Sequence, residues 1–462
     1  MLKNPKNQVA LFLSLTIILL AYSSSSLCCQ ATVLDASSAV VKYEVTTVFT
    51  GSIKHVIQVG NLANKAVIDG KLFVPLFKNE TSRHLIVISN ISSSAGEHNI
   101  LVDDFGNIYA VWNNLRIDGG RTFTVEVSYR VVSFGMHYLI NPSLVADYDK
   151  NSSIYLTYTQ PEELIESNSQ EIILAAQNII GSESDVHEKV LKIYSFVVGH
   201  LKYKVQEEEM GALWALRNGT GDCSEFSYLF VALCRASGIP ARVQAGFAFH
   251  SETAAVEDGH MWAEYYLENY GWVPIDATWH LFDTLDHLHF GSLRSMSTVI
   301  PYSNFFFNYT NGPNEEFISE DQRVSIKPLL KTTFGDSFVT DIADSVVEMV
   351  KAKNVMFLGE ILGASTIFPS EVSEAEQNLQ ESMILLQEAL EALEENPQLA
   401  RLNAADALKS TERALYTSWV IIAKLLTMFV GVLTVVMVAA FTFLMKRYGV
   451  RWKAQKDEQH KQ

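Results

Sequence analysis

The chain has 462 residues, of which 48% are hydrophobic and 11% aromatic, and a formal net charge of −17 at pH 7. That length exceeds one ordinary domain, and the apolar content is ample for packed cores. The acidic balance argues against a nucleic-acid partner, because phosphate binding needs a basic surface.

In chain order, Lys3 and Lys6 precede an apolar run from Val9 to Ala21, followed by a serine stretch. A basic start, a short apolar run and small polar residues predict a secretory signal over 1–31; an uncleaved anchor is the other reading. Cys28 and Cys29 fall at its expected cleavage region. Residues 36–160 alternate β-branched and aromatic residues between turn signals such as Asp104–Asn107 and Asp118–Gly120, which predicts an all-β sandwich with no evident chemistry. The pattern changes at 162. Helical spacing over Glu163–Ile180 and Asp185–His200, a further helix opened by Cys223, and strands from 241 to about 276 predict an α+β domain over 162–300. Residues 301–372 are read only as an extension.

Over 373–418 the sequence predicts a helical hairpin stalk. Ser373 and Glu376 form a capping box, and Leu379, Met383, Leu386, Leu390 and Leu393 make a narrow seam that permits self-association. Asn396-Pro397 separates this helix from one carrying Leu399, Leu402, Leu408 and Leu415. A transmembrane helix is expected over 419–445, since Leu425 to Met445 carries no charge, with Trp419 at its outer edge. The tail, 446–462, is basic and expected in the cytoplasm. The whole reads as a single-pass cell-membrane protein with its N-terminal bulk extracellular. Asn79, Asn90, Asn151, Asn218 and Asn308 each head an Asn-X-Ser/Thr glycosylation pattern.

Chemistry is concentrated at Gly221-Asp222-Cys223. The helix that follows ends at Gly238-Ile239-Pro240, so Cys223 lies in its first turn. Helix starts favour thiolate and offer amides to an oxyanion. Cys234 lies eleven residues on, roughly 16 Å by helical rise, among apolar neighbours; it reads as core and is too far for a bridge. His260 opens a strand to Leu267, and Trp272 to Asp276 reads as its partner. If the connection spans Leu267 to Gly271, Asp276 lies opposite Trp262 and diagonal to His260, on one face. Nucleophile, base and orienting carboxylate then have a triad's arrangement; one residue of slip would turn Asp276 away.

Gly221-Asp222-Cys223, Arg235–Arg242, Gly259-His260-Met-Trp262-Ala-Glu264 and Gly271–Asp276 together resemble the transglutaminase-like superfamily. The resemblance covers about 165 to 280 and implies a papain/transglutaminase-like core. It implies a triad at Cys223, His260 and Asp276, with Trp262 and Glu264 at scaffold positions. Trp214 is the nearest candidate for the oxyanion tryptophan of animal members. The preceding β-rich segment is similar to the domain that often precedes this core in secreted, membrane-anchored microbial members.

Other signals are weaker. His280, Asp283, His287 and His289 lack third-ligand spacing for a metal. Asp103–Asn107 lacks the glutamate of a calcium loop and reads as a turn. Glu207–Glu209 reads as a solvated loop that could favour a basic acceptor. The expected activity is thiol acyl transfer on a protein or peptide carbonyl through a thioester. The alternatives are a cysteine peptidase or amidase with the same triad, or an inactive surface binding module. No cofactor follows from the sequence, and the expected partners are a protein or peptide substrate and the membrane.

Overall fold

The structure is a computed structural model that describes residues 41–79, 83–294, 302, 304–329 and 336–459. The signal expected over 1–31, with Cys28 and Cys29, lies outside the described residues.

The N-terminal region is β-rich. β1 (Tyr43–Asn61) and β6 (Thr122–Tyr138) pair along their length, and β3 (His84–Ser93) adds to β6. A smaller sheet holds β2 (Val67–Pro75), β4 (Asn99–Val102) and β5 (Ile108–Ile117). Alternation along these strands sends Ile53, Ile57, Leu72, Val74, Trp112, Val125 and Val127 into one buried cluster shared by both sheets. The turn at Asp103–Asn107 is closed by Asp103 Oδ1, which accepts the Phe105 and Asn107 amides at 2.9 and 2.8 Å.

Helices follow: α1 (Ser153–Tyr158), α2 (Gln170–Ile180), α3 (Val186–His200), α4 (Gly211–Asn218) and α5 (Cys223–Ala236). The helix expected from Glu163 starts at Gln170. Leu164 takes a left-handed φ of 66°, and the Glu162 carboxylate is drawn inward to Arg235 Nη2 at 2.6 Å. Between α3 and α5, the two-residue strands β7 (Lys202–Tyr203) and β8 (Thr220–Gly221) pair in parallel. α5 is buried from Ser224 to Arg235, as befits a helix apolar on nearly every side.

β9 (Ala241–Ala248), β10 (Ala255–Val256), β11 (His260–Leu267), β12 (Gly271–Asp276), β13 (Leu281–Phe282), β14 (Thr284–Leu285) and β15 (His289–Arg294) complete this region. Five of them form an antiparallel sheet in the order β13-β12-β11-β9-β15. Phe247 and Phe290 from this sheet, and Phe249 just after β9, enter the apolar cluster of the N-terminal region, so the two regions share a core. The chain then returns to the N-terminal sheets: β16 (Phe306–Asn308) pairs with β2, and β17 (Ile318–Pro328) pairs with β1 over eleven residues.

The C-terminal part packs α6 (Asp336–Ile361), α8 (Pro369–Ala392) and α9 (Pro397–Gln459) together, with the short α7 (Ala364–Ile367) at the α6–α8 corner. Leu379, Leu386, Leu390 and Leu393 of the expected seam are buried within the chain, and Met383 is half-buried. The face of α9 that meets them is not its leucines. Ala400, Ala404, Ala407, Thr411, Ala414 and Ser418 are buried, while Leu399 and Leu402 are exposed. A helix held between two others at close range needs small side chains at the contact. The bundle is tied to β1 by Asn354, whose Oδ1 accepts the Lys42 amide at 2.9 Å and whose Nδ2 donates to the Tyr43 carbonyl at 2.9 Å.

Beyond Leu425 the apolar residues of α9 stand exposed. Among the described residues this is one helix long and apolar enough to cross a membrane, and the rest of the chain does not cover that stretch.

Arg130 of β6 donates to the Leu390 and Glu391 carbonyls at 2.6 and 2.9 Å and pairs with Glu394 at 2.9 Å. Arg130→Ala is expected to cost about 1–3 kcal/mol, since it strands buried carbonyls. Thermal melting and faster proteolysis between α8 and α9 would register the loss.

Candidate active site

Cys223 is the first residue of α5 and half-buried. Asp222 caps the helix: its Oδ1 accepts the Ser224 amide at 3.1 Å, and its own amide donates to Glu225 Oε2 at 3.0 Å in a reciprocal capping box. Gly221 makes room for that box, because a Cβ there would stand 2.3 Å from Glu225 Cβ. The sequence offered the helix-start amides together as an oxyanion site. The box occupies those of Ser224 and Glu225, so of the first three the Cys223 amide is the one it leaves. Cys234, also a free cysteine, is fully buried in the core, and burial pushes its thiol pKa up.

His260 begins β11, and its Nε2 lies 2.6 Å from Asp276 Oδ2 at the end of β12. Cys223 lies close enough to His260 to help raise the imidazole's pKa; with Nε2 engaged, Nδ1 is the ring nitrogen that Asp276 does not hold. The hairpin register, Leu267 opposite Gly271 through Ala263 opposite Ile275, continues to Trp262 opposite Asp276. The structure thus brings His260 and Asp276 into contact, with Cys223 close by.

Asp276 is fully buried. Its Oδ1 accepts the Thr278 and Trp279 amides at 2.8 and 3.0 Å, and its Oδ2 accepts from His260 and, at 3.2 Å, from His289. Burial alone would raise this carboxyl; the hydrogen bonds from the two histidines outweigh it and hold Asp276 well below the usual carboxylate range. Burial alone would lower His260; its bond to Asp276 and the nearby Cys223 outweigh that and hold it above the ordinary imidazole value.

Trp262 is buried against His260 and His289, at ring distances of 6.1 and 5.2 Å. Glu264 is buried opposite Arg242 and accepts from its Nε at 2.7 Å and from Gln244 at 2.8 Å; the Arg242 guanidinium lies 3.9 Å from the Trp272 ring. Trp214 stands half-buried on α4 and is not among the residues lining the cavity beside His260. That cavity, about 290 Å³, is walled by Tyr203, His250, Asp258, His260 and Trp279. Trp279 was missed from sequence. Its ring lies 5.1 Å from His260 and stacks on His250, also at 5.1 Å. The signal was present: it follows Asp276 by three residues, which is what lets its amide cap that carboxylate.

The loose histidine cluster does not converge. His280 is exposed at φ 58°. Asp283 accepts from Tyr265 and pairs with His187 at 2.6 Å, and His287 lies 3.1 Å from Glu252. His289 alone joins the site. His260, Asp276 and His289 bring ligand-type atoms within 4.8 Å of one another, but the Asp276 oxygen is already the acceptor for both imidazoles, so the group is a hydrogen-bonded chain. Glu207 and Glu208 are exposed, while Glu209 accepts from Tyr228 at 2.5 Å. Asn79, Asn90, Asn151, Asn218 and Asn308 are all exposed.

The family model of the transglutaminase-like superfamily matches residues 174–277. Those residues form a transglutaminase-like core. No curated protein matches the chain. Among solved structures, the chain is similar to a candidate cysteine protease from Cytophaga hutchinsonii, at 16% identity, over 62% of this chain and 94% of that one, with a TM-score of 0.47. It is similar to the periplasmic domain of TgpA from Pseudomonas aeruginosa bound to ethylmercury, at 13% identity, over 52% and 91%, with a TM-score of 0.25.

Within the transglutaminase-like core, Glu264→Ala leaves the Arg242 charge buried and unpaired and is expected to cost about 3–5 kcal/mol. Glu264→Gln, which keeps an acceptor, should lose less. Denaturant unfolding of the two variants checks the order.

Proposed function

We propose that this protein is a thiol acyltransferase of the transglutaminase-like type, acting on a carboxamide or peptide carbonyl of a protein or peptide. The observation that carries the reading is His260 held at 2.6 Å by the buried Asp276 carboxylate, with Cys223, the first residue of α5, close enough to raise the imidazole's pKa. In the first step the Cys223 proton passes to His260 Nδ1 while sulfur bonds to the carbonyl carbon and the carbonyl π pair moves to oxygen. The Cys223 amide lies at the helix start to donate to that oxygen. Collapse expels the amine or ammonia, which takes the proton from His260 and leaves a thioester. An incoming amine then gives its proton to His260, bonds to the carbonyl carbon and displaces sulfur. Asp276 holds the imidazole by Nε2 and stabilises the imidazolium.

The same reading puts the catalytic region outside the cell. The signal expected over 1–31 would start export, the apolar part of α9 would anchor the chain, and the basic tail would stay in the cytoplasm. The exposure of the five candidate glycosylation asparagines is compatible with that side.

Incubation with a glutamine peptide and excess primary amine, followed by mass spectrometry, tests the reaction. The expected product is the amine-substituted peptide, with a thioester on Cys223. Cys223→Ala should give neither, and Asp276→Asn should slow the reaction by about 10²- to 10⁴-fold. Deamidated or cleaved peptide without amine incorporation would make the protein an amidase or peptidase. No Cys223-dependent adduct at all would leave a binding module.

A further inference from the structure

The contacts that begin at His260 do not end at Asp276. His289, fully buried in β15, places Nε2 3.2 Å from Asp276 Oδ2 and Nδ1 2.7 Å from Asp286 Oδ1. An ionised carboxylate only accepts hydrogen bonds, and a neutral imidazole has one N–H to give. Both contacts are satisfied only when both ring nitrogens carry protons. We propose that His289 is a positioning residue that remains a buried imidazolium between Asp276 and Asp286, and that this fixed charge sets the basicity of His260. The inference rests on the acyl-transfer reading of Cys223 and deepens it.

The surroundings favour it. Burial would lower His289, yet its bonds to Asp276 and Asp286 raise it above the ordinary imidazole value, and both carboxyls are held below theirs. The ring is fixed by Trp262 at 5.2 Å and Trp279 at 4.7 Å, and its carbonyl accepts from Arg83 Nη2 at 2.9 Å. Gly246 pairs with both His260 and Gly291, so no side chain at that position separates the two histidines, whose rings lie 5.5 Å apart. The other groups that bear on the pair are Cys223 from α5, Tyr194 from α3, whose pKa burial and then Asp276 raise, Arg83 just before β3, His84 from β3, and His250 across Trp279.

The consequence is chemical. Asp276 unopposed would bind the His260 proton tightly and hinder its return to the leaving group. Shared with a permanent cation, the same oxygen still orients His260 but raises its basicity less.

Two substitutions separate charge from shape. His289→Gln keeps an N–H donor for Asp276 and removes the charge. Asp286→Asn, at a side chain 37% exposed, keeps His289 and removes the carboxylate that demands its second proton. The readout is the pH profile of Cys223 alkylation by iodoacetate, measured on the full chain in detergent with the modified peptide identified by mass. This anionic reagent reacts faster while His260 is protonated, so the profile is a bell whose alkaline limb reports His260. Loss of a positive charge at this range raises that limb by about one to two pH units in His289→Gln, and by less in Asp286→Asn. Alkaline limbs that stay at the wild-type position in both variants, including an equal fall in rate at every pH, overturn the inference. If His289→Gln does not fold, His289→Asn, which also keeps an N–H donor without the charge, decides by the same criterion. A wild type with a single rise and no alkaline limb overturns this inference alone; the acyl-transfer reading fails separately, if the glutamine peptide gives no Cys223-dependent adduct.

Discussion

Leu267 stands opposite Gly271, and that single register decides which side chains can meet. Side chains on a strand alternate between faces, so every second residue from Trp262 and its partners points to the same side. Asp276 is thereby carried to the face of His260, and a slip of one residue would bury it elsewhere. The register is held away from the site as well as at it. Ala263, Val273 and Ile275 are buried, and Glu264 is locked to Arg242 on the neighbouring strand.

The second constraint is the start of α5. A helix buried on nearly all sides has only its ends available to polar chemistry, and this one presents a sulfur at its first turn. The capping box at Asp222 and Glu225 stabilises that end but also consumes amides, so the geometry that fixes Cys223 narrows the donors left for a substrate oxygen. The rings of Trp262 and Trp279 pack around His289, which is fully buried, and the low local polarity there strengthens its hydrogen bonds.

Distant parts of the chain brace this arrangement. β15 alternates between two duties: His289 faces the triad, and the next residue, Phe290, enters the core shared with the N-terminal sheets. β17 pairs with β1, and the helices α6 and α8 close over the N-terminal strands with Asn354 and Arg130 as polar ties, while α9 packs on those two helices. Beyond Leu425, α9 leaves this packing with its apolar side chains uncovered.

Local pattern carried much of this. The first-turn position of Cys223, the burial of Cys234, the hairpin from His260 to Asp276 and the apolar stretch of α9 follow from periodicity, caps and turn length, which neighbouring residues determine among themselves. What the sequence could not settle depends on contacts between distant segments. Leu164 breaks the expected helix start because Glu162 is needed by Arg235. The leucines of α9 yield the inner face to alanines because two other helices crowd it. His289 looked like one of several scattered histidines, and it became part of the site only when β15 paired with β9 on the side away from β12. Residue order along the chain supplied the nucleophile, base and carboxylate; strand order in the sheet, in which Phe247 and Phe290 are buried on the face away from His289, supplied the second imidazole.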